Sequence, residues 1–128
     1  MDLGLKNKNA VITGASQGIG EAIAHSLADE GCNVAICARN KERLDKTVSD
    51  LQAKGVKAIG VIADLSSEAG CQSFIKEASE ELGSIQILVN NVGGMIPGTL
   101  ATMDEGTWST AINVNLMAAI YTTKHAVE

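Results

Sequence analysis

Short apolar runs alternate along this chain with longer stretches in which apolar residues recur every three or four positions. Asn9-Ala10-Val11-Ile12 is the first run, Asn33-Val34-Ala35-Ile36-Cys37 the second, Val56 to Ile62 the third and Ile85-Gln86-Ile87-Leu88-Val89 the fourth. Runs this short, apolar and rich in branched side chains read as strands buried on both faces. Between them, Glu21 to Ala28 repeats apolar residues at helical spacing, Lys41 to Lys54 places Leu44, Val48 and Leu51 on one helical face, and a segment from Ser66 or Ser67 to Leu82 turns Cys71, Phe74, Ile75, Ala78 and Leu82 inward. Gly31, Gly55 and Gly83 stand where these segments should stop, and Asn40 and one of the two serines stand where helices should be capped. Strands alternating with helices of this length predict right-handed βαβ units, hence an α/β fold with a doubly wound parallel sheet. Beyond the fourth run, Thr102 or Asp104 opens a long helix through Trp108. Its stretch from Ala111 to Ile120 is apolar nearly all round, the mark of a helix buried on more than one side.

One stretch fits neither pattern. Thr13-Gly14-Ala15-Ser16-Gln17-Gly18-Ile19-Gly20 lies where the first strand hands over to the first helix. There the first backbone N–H groups of the helix have no partner and the aligned peptide dipoles leave partial positive charge, which suits a pyrophosphate. Glycine permits positive φ and lets a phosphate approach without a Cβ in the way. The same turn without a ligand is the plain alternative, and its place between strand and helix favours the ligand. The spacing is G-x-x-x-G-x-G, through Gly14, Gly18 and Gly20, with a threonine in front. In this it resembles the cofactor turn of the short-chain dehydrogenase/reductase family, and the resemblance implies a Rossmann-type sheet of strand order 3-2-1-4, its first half lying in this chain. Gly14, Ser16, Gln17, Gly18, Ile19 and Gly20 are then expected to hold the cofactor's phosphates.

The end of the second strand bears on which cofactor. In dinucleotide-binding folds an acidic residue about 20 positions past the glycines takes the ribose hydroxyls, whereas an arginine accommodates a 2′-phosphate. Here the strand runs out through Cys37-Ala38-Arg39-Asn40, without a carboxylate. A guanidinium matches phosphate oxygens with a planar fork of donors, so Arg39, with Asn40 beside it, points to NADP(H); the alternative is a solvated arginine in a helix-entry loop. Asp64-Leu65, after the third strand, is similar to the family's adenine-contacting pair. Asn90-Asn91-Val92-Gly93, after the fourth, resembles its Asn-Asn-Ala-Gly motif beside the nicotinamide ribose, with valine in the alanine place. The resemblance carries Asn90 and Gly93 over as cofactor-binding residues. For Asp64 a helix-entry cap, and for the asparagines a self-bonded turn, are the alternatives.

Composition narrows the partners. The 128 residues are 45% hydrophobic but only 2% aromatic, so the core must rest on Ile, Val, Leu and Ala. A net charge of −5 without a basic cluster argues against nucleic acid and anionic membrane as partners. No signal-like leader or membrane-length apolar run occurs, and the expectation is a cytoplasmic protein. Cys32, Cys37 and Cys71 form no C-x-x-C, and His25 and His125 supply no paired spacing, so the cysteines read as reduced packing residues and no metal is expected.

The remaining resemblance concerns catalysis. The segment Trp108 to Leu116 resembles the one whose second asparagine, Asn115, belongs to the family's catalytic tetrad. There its backbone carbonyl, freed by a kink of the helix, holds a water in a relay to the catalytic lysine. The family's serine and Tyr-x-x-x-Lys pair have no counterpart in these residues. Tyr121-Thr122-Thr123-Lys124 has two intervening residues rather than three. Family members run to about twice this length, so the expectation is the cofactor-binding half of an NADP(H)-dependent oxidoreductase, inactive by itself. The parent would act on a small-molecule carbonyl or alcohol, in the manner of 3-oxoacyl-acyl-carrier-protein reductases. The alternative is a non-catalytic nucleotide-binding or oligomerising module. The resemblance also implies a homo-oligomer through the helix from Ala111 to Val127.

Overall fold

A computed structural model describes residues 1–128. Its elements are β1 (Asn9–Ile12), α1 (Gly18–Asp29), β2 (Asn33–Ala38), α2 (Lys41–Gln52), β3 (Ala58–Ile62), α3 (Glu68–Leu82), β4 (Ile87–Val89), α4 (Glu105–Ile112) and α5 (Ala118–Val127), with a π-helical turn, Asn113–Met117, joining the last two. The four strands form one parallel sheet in the order β3-β2-β1-β4, the 3-2-1-4 arrangement that the glycine-rich turn implied. No helix is long and apolar enough to cross a membrane.

Period-two alternation in the central strands explains why both faces are covered. Ala10, Ile12, Val34 and Ile36 point to one side, where they pack with Ala24 and Ala28 of α1 and with Leu44 and Leu51 of α2. Val11, Ala35 and Cys37 point to the other, against Cys71, Phe74, Ile75 and Ala78 of α3 and Ala118 of α5. Phe74, the chain's one phenylalanine, is fully buried and anchors α3. Leu82 is only half-buried at the margin of that cluster.

Several boundaries differ from the sequence reading, each for a local reason. α1 begins at Gly18, so the last glycines form its first turn rather than a loop ahead of it. β3 starts at Ala58 rather than Val56, because the Lys57 amide donates to the Asn33 side chain. β4 starts at Ile87 rather than Ile85. Gln86 still gives its N–H to the Asn9 carbonyl, but takes the Asn9 N–H with its side chain, which ends the ladder. Ser67 and Asp104 are the caps of α3 and α4. The apolar helix is not covered all round: Ala118 and Thr122 are buried, while Ile112, Leu116 and Ile120 stay open to solvent.

Candidate cofactor-binding site

The strands' carboxyl ends converge on a cavity of about 500 Å³ whose wall includes Gly14, Ser16 and Gln17 after β1, Arg39 after β2 and Asp64 after β3. The segment after β4, from Asn91 to Ile96, closes the remaining side. A second concavity of about 530 Å³ lies elsewhere, between α3 and the end of α5, and touches none of these strand ends. A crevice outside the carboxyl ends, where the chain turns from β1 toward β2 on one side and β4 on the other, is where open parallel sheets bind ligands.

The glycine-rich turn is held in shape from β4. Thr13 is fully buried; its Oγ1 accepts the amides of Asn91 and Val92, each at 2.9 Å. Asn91 Nδ2 donates back to the carbonyls of Thr13 and Gly14 at 3.1 and 3.0 Å. This closeness dictates glycine at position 20, where a Cβ would sit 2.5 Å from both Gly14 O and Asn91 Nδ2. Gly18 is different. Its φ is +63°, and the space a Cβ would occupy is open, which leaves the turn bare on its outer side.

The N-terminus of α1 stands apart from those of the other strand-linked helices. Asn40 caps α2 by accepting Arg43 N, Ser67 caps α3 by accepting Gly70 N, and Asp104 caps α4 by accepting Thr107 N. Gln17, at the cap position of α1, makes no such bond, since its Oε1 is occupied by Arg43 Nη1 at 2.6 Å. The first N–H groups of α1 thus have no side-chain cap, and the helix starts directly after Gln17, which lines the cavity, as an anion site requires. Ile19, mostly exposed, points away from the core.

Around this turn the other residues singled out by sequence take distinct places. Arg39 is exposed at the cavity lip without a carboxylate partner, while Asn40 Oδ1 is spent on capping α2. Asp64 Oδ1 accepts the Ser66 amide at 3.0 Å. That amide first, then the Ser66 hydroxyl and more weakly the Arg39 charge, hold its carboxyl below the usual range, so it is a carboxylate at neutral pH. Leu65 buries its side chain in the sheet's second core. Asn90 is turned away from the cavity: its Oδ1 accepts the Thr122 hydroxyl at 2.6 Å and its Nδ2 donates to Thr123, fastening β4 to α5. Asn91, which the sequence reading quoted without assigning it a role, is the residue that sets the turn. The signal was available, since Thr13 sits one step past the end of β1 and Asn91 two steps past the end of its paired strand β4.

Asn115 lies inside the π-helical turn, so the kink that the resemblance implied is present. Its side chain straps the loop after β4, Oδ1 accepting Gly94 N at 3.0 Å and Nδ2 donating to Gly94 O at 2.8 Å. A Cβ on Gly93 would come within 3.0 Å of that Oδ1. Cys37 lies under the cavity, and burial pushes its thiol up to about 12. Tyr121 and Lys124 contribute nothing to this cavity; Lys124 Nζ pairs with Glu68 at 3.2 Å. The site therefore offers anion-binding amides, a guanidinium and a carboxylate, a set fitted to hold a nucleotide with charged phosphates.

Comparison with known proteins is consistent with this geometry. The family model described as short chain dehydrogenase matches residues 8–128. The chain is 39% identical over 112 residues to a 2,3-dihydro-2,3-dihydroxybenzoate dehydrogenase of Bacillus subtilis, covering 88% of this chain and 43% of that protein. It is 40% identical over 111 residues to the 3-oxoacyl-[acyl-carrier-protein] reductase FabG of Staphylococcus epidermidis, covering 86% and 46%. Among solved structures, a short chain dehydrogenase from Burkholderia cenocepacia in complex with NADP superposes with a TM-score of 0.93 at 35% identity, covering 96% of this chain and 51% of that one. An NADH-dependent reductase complexed with NAD gives 0.92 at 28% identity, covering 99% and 53%. The chain spans about half the length of the relatives it matches.

Proposed function

The chain belongs to the short-chain dehydrogenase family, and on that premise we propose that it binds NADP(H) along the carboxyl edge of its sheet, as the cofactor-binding part of an oxidoreductase. A nicotinamide dinucleotide is common to both solved neighbours described above, NADP in one and NAD in the other. The observation that carries the choice between them is the end of β2, where Arg39 stands at the cavity lip and no carboxylate follows the strand. The uncapped start of α1 would take the pyrophosphate, and Asp64 and the Leu65 backbone lie where the adenosine would follow.

When bound, the dinucleotide supplies or accepts a hydride at its nicotinamide ring. The residues of this chain bind and orient it, and Asn115, through the wide turn around it, would take its place in the family's proton relay. The acting partner of such an enzyme is a small carbonyl compound or secondary alcohol, with 3-oxoacyl thioesters the class suggested by the reductase relative. Because these 128 residues contain no Tyr-x-x-x-Lys pair, they bind cofactor without reducing a ketone. A homo-oligomer belongs to the same reading. Trp108, Ile112, Leu116 and Ile120, at 40%, 47%, 54% and 47% exposure, form an apolar stripe along α4 and α5 of the kind that a second subunit covers. Three unpaired buried thiols agree with a reducing, cytoplasmic setting.

Titration with NADPH and NADH tests the reading. NADPH is expected to bind at least about tenfold more tightly, and Arg39→Ala to bring the two toward parity. Equal affinities in the unaltered chain would sink it, as would an Arg39→Ala variant that keeps its full affinity for NADPH.

A further inference from the structure

Arg43, in the first turn of α2, reaches across to Gln17 at the start of α1. Arg39 and Arg43 are the chain's only arginines, and both stand at the entry to α2 beside the glycine-rich turn. On the same helix Lys41 is neutralised by Asp45 and Lys46 by Asp50. Neither arginine has a carboxylate within ion-pair distance. The unpaired positive charge at the entry to α2 is therefore that of Arg39 and Arg43.

Arg43 is also held there. Its amide donates to Asn40 Oδ1 at 3.0 Å and its carbonyl accepts the Thr47 hydroxyl at 3.0 Å, which fixes its backbone in the first turn of α2. From that base the side chain crosses to the next element, with Nη1 on Gln17 Oε1 at 2.6 Å. Gln17 itself borders the cavity. A glutamine tether orients the guanidinium without cancelling its charge, as a glutamate would, and of five N–H donors it uses one. The remaining donors stay free for an oxyanion. A terminal phosphate carries close to two negative charges at neutral pH, so one guanidinium leaves it half neutralised.

We propose that Arg43 is the second cation of the ribose-phosphate subsite, poised on Gln17 so that it and Arg39 together grip a 2′-phosphate. This rests on the reading that the cavity takes NADP(H). The pair then sets the preference for a 2′-phosphorylated adenosine, and Gln17 acts as a positioning residue through Arg43.

The probe is the adenosine end alone: adenosine 2′,5′-bisphosphate and adenosine 5′-monophosphate, titrated into the full chain at low and moderate salt. Arg43→Ala, at an exposed position, is expected to weaken the bisphosphate about tenfold and to leave the monophosphate within about twofold. Arg43→Lys recovers part of the loss. Gln17→Ala gives a smaller loss, about threefold, because it frees the guanidinium without removing it. The salt dependence of bisphosphate binding flattens in Arg43→Ala, which a merely structural role would not produce. An unaltered chain that does not distinguish the two nucleotides overturns the NADP(H) reading and this inference with it. If the unaltered chain discriminates, Arg39→Ala loses the discrimination and Arg43→Ala keeps it, this inference alone is overturned.

Discussion

The two edges of the same four-stranded sheet are finished in opposite ways. At the amino edge, polar side chains close on each other. Asn9 Nδ2 donates to the carbonyls of Leu82 and Ser84, its Oδ1 accepts from Asn33, Asn33 Oδ1 accepts the Lys57 amide, and Gln86 takes the Asn9 amide. At the carboxyl edge, Thr13 and Asn91 fix the backbone of the glycine turn in a similar manner. There, however, α1 starts without a side-chain cap beside the cavity-lining Gln17, and the Arg39 guanidinium stands at the cavity lip without a carboxylate partner. Asparagine serves at both edges, so residue type does not separate them. What separates them is whether the hydrogen-bonding capacity is consumed within the chain, which yields stability, or left directed at a cavity, which yields recognition.

The largest expected effect comes from closing the open edge by force. Gly20→Ala drives a Cβ into Gly14 O and Asn91 Nδ2; a loss of about 3 kcal/mol in denaturant unfolding is expected, with loss of nucleotide binding. A paired substitution sharpens the comparison itself. Asn91→Ala and Asn9→Ala should each destabilise by about 1–2 kcal/mol, since each strips several backbone or side-chain groups of a partner. Only Asn91→Ala should also weaken dinucleotide binding. Equal binding in the two variants would break the distinction between the edges.

Two pH effects are smaller. Burial pushes the thiol of Cys37 up to about 12 in the folded protein, against an ordinary value of 9.0. The folded form keeps its proton while the unfolded thiol loses it, so this stability is complete below pH 9 and is lost as pH rises toward 12. At pH 10 the loss amounts to about 1.4 kcal/mol, and Cys37→Ala should flatten the alkaline limb of a stability-versus-pH curve. Asp64 works in the other direction. Its depressed pKa contributes stability above the unfolded value and loses it as pH falls through the folded one. Asp64→Asn should slightly flatten the acid limb below about pH 4, the weakest of these outcomes because the side chain is largely solvated.

Most of the fold was legible from periodicity, because alternating strands and helices must bury apolar faces at spacings of two and of three or four. The two runs at the sheet centre, the stops at Gly31, Gly55 and Gly83, and the cap at Asn40 all follow from local chemistry. What escaped local reading was decided by partners far away in sequence. Val56 and Ile85 look like strand residues, but side chains of Asn33 and Gln86 take over the ladder beside them. Asn90 and Asn91 are indistinguishable as neighbours; one faces α5 and the other the glycine turn 77 residues earlier. Arg43 reads as an ordinary solvated helix position until α1 is set beside α2.

The wide turn at Asn113–Met117 has a further geometric result. In a straight α-helix residues four apart drift by about 40° around the axis, so Trp108 and Ile120 would stand about 120° apart and face different neighbours. The wide turn, closed by Ala118 N on Asn113 O, absorbs one additional residue and sets the later residues back by about 100°. The four apolar side chains from Trp108 to Ile120 are thereby brought nearly into line. A single inserted residue thus changes the hydrogen bonding beside Asn115 and also aligns a seam along which a second helix can lie.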